Sequence, residues 1–188
     1  AIARAMLKNP PLLLLDEAHT VIATADADGR PAVRMVLLKH ADDRGFVFYT
    51  HNTSPKGQDL TANPRAALCF HWAKLERQVR IEGTVEAVPS VEADTYFATR
   101  ARVSRLGAWA SEQSQTLDDP STLRARLAEQ EKRFEGQEPP RPPHWSGYRL
   151  LPTAIEFWSD GAFRLHDRLV FERRQIEDAA WTARRLYP

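Results

Sequence analysis

The sequence predicts a mainly β protein with flanking helices, built as a closed antiparallel barrel. Two observations carry that expectation. Short apolar runs recur between tight clusters of Asp, Gly and Pro, at the spacing of hairpins. Only a few segments carry helix-start signals, so the strands outnumber the helices and must close on one another.

Taken in order, Val21 to Thr24 is a strand ended by Asp26-Ala27-Asp28-Gly29. Val33 to Lys39 follows and stops at Asp42-Asp43-Arg44-Gly45, before a third strand at Phe46 to Thr50. Pro55 suits a first helical turn, and Lys56 to Asn63 forms a short helix that Pro64 terminates. Strands follow near Ala66 to Ala73 and Gln78 to Val88. Ser90 caps a helix through Arg100, and Asp119-Pro120 opens another. Leu123, Leu127, Gln130 and Phe134 share one face of that helix until Gly136 ends it. Pro139, Pro140, Pro142 and Pro143 make an extended connector to strands at Tyr148 to Leu150, Ala154 to Trp158, Arg168 to Arg173 and Trp181 to Leu186.

Residues 1–20 stand apart from this pattern. Ala3 to Ala18, with its Leu12-Leu13-Leu14-Leu15-Asp16-Glu17 core, resembles the magnesium-binding strand of an ABC-type ATPase. That chemistry needs a glycine-rich phosphate loop, and no Gly-x-x-x-x-Gly-Lys-Ser/Thr exists in the chain. The segment is expected to supply only a short helix and a strand, leaving residues 21–188 as a single domain. At 188 residues and 43% hydrophobic, the chain can bury a real core, and a net charge of +1 argues against charge-driven nucleic-acid binding. Cys69 is the lone cysteine, in an apolar run, which fits an inert thiol in a reducing cytoplasm. The longest apolar run is far too short to span a bilayer, and no signal-peptide layout appears, so a soluble protein with no membrane partner is expected.

The chemistry gathers around Ile155-Glu156-Phe157-Trp158 and Arg164-Leu165-His166-Asp167-Arg168. An alternating strand that carries Glu156 and Trp158 outward, followed by two arginines flanking a histidine, suits a flat anionic ligand. Arg34-Met35-Val36-Leu37-Leu38-Lys39 places cations at the two ends of an apolar strand, and their odd separation points them to opposite faces. Ser54-Pro55-Lys56 offers an anion site at a helix start, where backbone N–H groups are free. Alone, Lys56 reads equally as a surface lysine. Tyr96, Arg100 and Ser104 recur every four residues, so a continuing helix would align them as a phosphate clamp. Gln78 and the pair Gln113-Ser114 supply amide and hydroxyl groups that both donate and accept, and alone they read as loop decoration. The six histidines show no ligand-like spacing, so no metal is assigned.

Together these motifs resemble the pyridoxamine 5'-phosphate oxidase family, FMN enzymes that make pyridoxal 5'-phosphate. The resemblance runs nearly without gaps from Val21 to Pro188. It implies an antiparallel split β-barrel, a homodimer with FMN at the subunit interface, and oxidation of pyridoxamine or pyridoxine 5'-phosphate, with oxygen reduced to hydrogen peroxide. Carried over residue by residue, the strand Arg34 to Lys39 lies along FMN. Tyr49, Thr50, Lys56, Gln78, Gln113, Ser114, Trp158 and Arg168 also serve the cofactor. Lys39, Tyr96, Arg100 and Ser104 hold the substrate phosphate, while Arg164, Leu165 and His166 meet the substrate ring, with Arg164 and His166 as catalytic groups. Three departures stand out: Pro55 where the family has Arg, Ala101 where it often has Pro, and an N-terminal segment unlike the usual helix and substrate lid. The alternative is a flavin-binding split-barrel reductase, carrier or non-catalytic module without this oxidase activity.

Overall fold

The computed structural model describes residues 19–188. The N-terminal segment with its expected short helix and strand lies outside them. Eight strands form one sheet: β1 (His19–Ala25), β2 (Pro31–Asp42), β3 (Gly45–His51), β4 (Arg65–Trp72), β5 (Arg77–Ala87), β6 (Trp145–Ser159), β7 (Asp167–Glu172) and β8 (Thr182–Arg185). Their order is β3-β2-β1-β4-β5-β6-β7-β8, and an added β3–β6 pairing closes the first six strands of that order into a barrel. β7 and β8 continue the sheet past the closure, antiparallel to their neighbours.

The turn chemistry works as read. Asp26 accepts hydrogen bonds from the backbone N–H groups of Asp28 and Arg30, and Asp42 accepts from those of Arg44 and Gly45. Both hairpins are therefore fixed by an aspartate at their first corner. Alternate residues of the strands fill the barrel with Ile22, Phe48, Leu68, Ile81, Leu150 and Ile155, none more than 1% exposed. Burial of each such side chain contributes about 1.5–3 kcal/mol. Arg149, 1% exposed, points a guanidinium at Asp42 with Nη1–Oδ1 at 2.7 Å. Burial works to raise the Asp42 carboxyl, but its bonds from Arg44, with Arg149 and Gly45, outweigh that and hold it below its ordinary value. Cys69 is half-buried, and burial pushes its thiol up, away from the reactive thiolate.

One departure concerns β6. Two strands were expected, at Tyr148 to Leu150 and Ala154 to Trp158, but the chain forms a single strand of 15 residues through Pro152. Neighbouring backbones come unusually close here. A Cβ at Gly45 would lie 2.1 Å from the Leu150 carbonyl oxygen, and one at Gly83 2.0 Å from that of Leu151. Glycines on both flanking strands thus let β6 pack through a residue that ordinarily interrupts a strand.

The described chain divides into two compact units. The barrel unit holds the residues through Phe48, Asp59–Glu86 and Tyr148–Pro188, and the helical unit holds Tyr49–Gln58 and Ala87–Gly147. Helices are α1 (Pro55–Ala62), α2 (Ser90–Thr99), α3 (Arg102–Ala110) and α4 (Pro120–Arg133). α4 starts as read, with the Asp119 carboxylate accepting from Ser121 N–H and Pro120 in the first turn. Its shared face is covered only toward the C-terminal end: Phe134 is buried against Trp109 at 5.4 Å between centroids, whereas Leu123 is 40% exposed. The helix expected to continue past Arg100 instead breaks, because Arg100 and Ala101 are extended with ψ of 146° and 140°. Among the described residues no helix is long and apolar enough to cross a membrane.

Candidate active site

In the helical unit, a polar cluster forms around Lys56, which is 8% exposed. Its Nζ donates to Thr50 Oγ1 at 2.7 Å, Gln113 Oε1 at 3.0 Å and Ser54 Oγ at 3.2 Å. Gln113 Oε1 also accepts from the Thr50 hydroxyl and from His51 N–H. Three donors on one oxygen fix the amide's orientation and turn its NH₂ away from the ammonium. The start of α1 differs from expectation. Ser54 Oγ accepts from Gly57 N–H at 3.4 Å, so the helix is capped by its own serine and its N–H groups are less open than read. A Cβ at Gly57 would sit 2.3 Å from the Asn52 carbonyl oxygen, so only glycine lets the loop fold against this turn. Pro55 is exposed, and Ser114, next to Gln113, holds a left-handed φ of 69°.

Beside this cluster within the unit, Tyr49 stacks on Tyr96 at 4.1 Å and on Trp145 at 5.1 Å. Arg100 lies over Trp145 at 5.0 Å and over Phe97 at 5.4 Å. Its Nη1 is buried and makes no hydrogen bond. Burial holds the Arg100 guanidinium below its ordinary value, against an opposing pull from Tyr96. Ser104 falls on α3, exposed, and does not share a helix with Tyr96 and Arg100. His51 is 6% exposed, with its ring 4.7 Å from His144 and its Nδ1 without a partner. Burial, followed by the charges of His144, Lys56 and Arg100, pushes it down to about 4, so it is neutral at pH 7.

The barrel unit carries the remaining candidates. Arg34 on β2 donates to Thr24 Oγ1 at 2.5 Å and lies 3.6 Å from Asp59. Met35 is 54% exposed, whereas Val36 and Leu38 pack on the core, and Leu37 and Lys39 are half-buried. A register shift between Leu38 and His40 interrupts the alternation, so odd spacing no longer decides that Arg34 and Lys39 face opposite ways. Gln78 sits on β5 opposite His71, half-buried.

In the β6–β7 hairpin, Trp158 and Arg168 are direct cross-strand partners. Glu156, expected to be carried outward with Trp158 toward a ligand, is 9% exposed because two arginines cover it. Arg168 Nε donates to its Oε1 at 2.7 Å and Arg80 Nη1 to its Oε2 at 3.3 Å. In the connecting loop Arg164 and Leu165 are exposed, Phe163 and Arg164 have left-handed φ of 60° and 64°, and His166 lies against Trp158 at 4.9 Å. His166 Nδ1 is 2.9 Å from Asp160 Oδ1. Sequence reasoning passed over Asp160, His51 and Trp145. Nothing in the spacing marks any of the three, since each reaches its neighbours only through the fold.

The family model described as pyridoxamine 5'-phosphate oxidase matches residues 13–133, and that of the pyridoxine 5'-phosphate oxidase C-terminal dimerisation region matches residues 145–188. A pyridoxine/pyridoxamine 5'-phosphate oxidase of Caulobacter vibrioides is 60% identical over 173 residues, 92% of this chain and 77% of the relative. One from Sphingopyxis alaskensis is 52% identical over 200 residues, covering 100% of this chain and 91% of its own. Among solved structures, PhzG from Burkholderia lata, in complex with tetrahydrophenazine-1-carboxylic acid, aligns with a TM-score of 0.88 at 34% identity, over 100% of this chain and 90% of that one. A pyridoxamine 5'-phosphate oxidase-related, FMN-binding protein of Nostoc punctiforme shares the fold, with a TM-score of 0.74 at 16% identity over 100% of this chain and 95% of its own. A closed antiparallel barrel, two family models that between them take in both the barrel strands and the C-terminal hairpin, and relatives more than half identical place this chain in the pyridoxamine 5'-phosphate oxidase family.

Proposed function

We propose that the protein is an FMN-dependent oxidase that converts pyridoxamine or pyridoxine 5'-phosphate to pyridoxal 5'-phosphate, with oxygen reduced to hydrogen peroxide. It acts as a cytoplasmic homodimer with FMN at the subunit interface. The observation that carries the reading is Arg100: the arginine is half-buried, and a buried Nη1 with no partner is costly unless an anion completes it. A phosphate is an anion that a planar fork of N–H donors can hold through two parallel hydrogen bonds. Tyr96, Arg100, Ser104 and Lys39 are assigned to the substrate phosphate, and Arg164, Leu165 and His166 to its ring.

The residues present also fit FMN. Lys56 supplies a cation ringed by Thr50, Ser54 and Gln113, and the exposed Met35 on β2 offers an apolar surface for a flat ring. Arg34 to Lys39, Tyr49, Thr50, Lys56, Gln78, Gln113, Ser114, Trp158 and Arg168 are assigned to this cofactor. When bound, the flavin supplies the two-electron acceptor. The chain's own residues do the positioning: Arg100 fixes the phosphate end, Arg164 and His166 engage the polar substituents of the ring, and Trp158 shields the histidine.

The test begins with purified protein and the colour of bound flavin. Pyridoxine 5'-phosphate is then added under air with peroxide measured, beside unphosphorylated pyridoxine as control, and the mass of the native holoprotein is taken. Turnover that depends on the phosphate, in a dimer with two FMN, is the expected result. A flavin-loaded protein that leaves the phosphorylated vitamer untouched, or that oxidises only a tricyclic carboxylate, overturns it.

A further inference from the structure

We infer that Asp160 is a positioning residue that fixes the tautomer of His166, holding the proton on Nδ1 and leaving the lone pair on Nε2. The inference deepens the proposed oxidase function and rests on it for the role of His166, but the Asp160–His166 contact itself lies within the loop of the β6–β7 hairpin.

Two groups compete for His166 Nδ1. Gly161 N–H approaches it at 3.3 Å and would need a lone pair there, whereas Asp160 Oδ1 lies at 2.9 Å and can only accept. One nitrogen cannot serve both. The shorter contact to a carboxylate is the stronger, so the proton sits on Nδ1 and Nε2 becomes the acceptor.

The loop is built to keep this pair together. Asp160 is tied at its backbone, with its N–H donating to Glu76 O at 2.9 Å. Arg164 N–H donates to Gly161 O and Leu165 N–H to Ala162 O, both at 3.1 Å, so the chain reverses within a few residues. A Cβ at Gly161 would lie 2.0 Å from the Leu165 carbonyl oxygen, so glycine is required for the reversal. Phe163 and Arg164 both take left-handed φ, a strain that persists only where surrounding contacts enforce it. The carboxylate–imidazole contact closes the loop across that strained pair, and Trp158 at 4.9 Å limits rotation of the ring.

With the lone pair on Nε2, His166 would take the proton from the C4' hydroxyl of pyridoxine 5'-phosphate as the alcohol becomes the aldehyde. FMN, when bound, would supply the acceptor for the C4' hydrogen and its electron pair, so the alcohol's two hydrogens and two electrons are all accounted for. Asp160 touches no substrate in this scheme. It acts by orienting the ring and by stabilising the imidazolium that forms.

The experiment combines nitrogen NMR of histidine-labelled holoprotein at alkaline pH with steady-state kinetics. Wild type is expected to show His166 protonated at Nδ1. Asp160→Asn offers an NH₂ group to Nδ1 in place of an acceptor, so the proton moves to Nε2 and kcat falls at least about tenfold, with flavin content and KM within about twofold of wild type. Asp160→Glu, which keeps a carboxylate, retains the Nδ1 proton and recovers most of kcat. A wild-type His166 protonated at Nε2, an Asp160→Asn enzyme with unchanged kcat, or an Asp160→Asn loss that appears in flavin content instead of kcat overturns the inference. The tautomer is read whether or not the vitamer is oxidised, so failure of the functional reading and failure of this inference are told apart.

Discussion

Arg100 in the helical unit and Arg168 in the barrel unit are both proposed to meet an anionic ligand, yet they are held in opposite ways. Arg100 rests on the faces of Trp145 and Phe97 with Nη1 unpartnered, and burial lowers its proton affinity. Arg168 is clamped by the Glu156 carboxylate, and that hydrogen bond raises its proton affinity. The difference separates two jobs. A cation left short of partners draws most of its stabilisation from the ligand it binds, whereas a cation already paired contributes shape and direction, and little of its charge is left over.

The largest effect should follow from breaking the unpaired side. Arg100→Ala is expected to raise KM for pyridoxine 5'-phosphate by about a hundredfold or more, because two charge-assisted hydrogen bonds are lost, while flavin content stays normal. Steady-state kinetics with flavin absorbance checks both halves. An equal loss of flavin would show that Arg100 serves the cofactor.

The same unit carries a pH signature. The folded-state pKa of His51 lies near 4, below its ordinary 6.5, so between these values the unfolded chain binds a proton that the folded chain refuses. Stability is therefore full above pH 6.5 and is lost as pH falls toward 4, by on the order of 3 kcal/mol in all. Asp42 and Glu172, held below their ordinary values, add their own loss at still lower pH. Denaturant midpoints across this range should slope in wild type and flatten in His51→Gln. A wild-type plateau down to pH 4.5 would refute it.

On the paired side, Glu156→Ala leaves Arg80 and Arg168 to repel one another, and flavin affinity should drop about tenfold, with Glu156→Gln between the two. Titration of apoprotein measures this. Unaltered affinity would mean that Arg168 needs no clamp. The smallest change expected is at Pro55, exposed at the start of α1, where Pro55→Arg supplies a guanidinium at the cost of little helix stability. FMN affinity should rise about threefold at low salt and return toward wild type at high salt. A gain independent of salt would point to something other than charge.

Much of the barrel was legible because its turns are chemical: Asp26 and Asp42 close their hairpins with side-chain bonds that any reader of Asp-rich corners can anticipate. The break after Arg100 was not, since Ala101 adopts an extended backbone without the proline that would announce it. Pro152 misled in the other sense, because the glycines that accommodate β6 sit on other strands, far away in sequence. In the site, residue types were readable and partners were not. Glu156 was recognised as one charge among several, but its burial depends on Arg80, which lies 76 positions earlier. Asp160 escaped notice because it reaches His166 only through left-handed residues, Phe163 and Arg164, whose side chains give no hint of that backbone.

The close passage of β6 beside Gly45 and Gly83 also sets which glycines the chain can spare. A methyl group at either position would overlap a main-chain carbonyl oxygen, which cannot swing aside as a side chain could, so even alanine should be rejected there. Gly107 on α3 has no atom within 4 Å of such a methyl, and there alanine should be welcome as the better helix former. Sequence drift among functional variants should accordingly run freely at one glycine and halt at the other two, although none of the three has a side chain to lose.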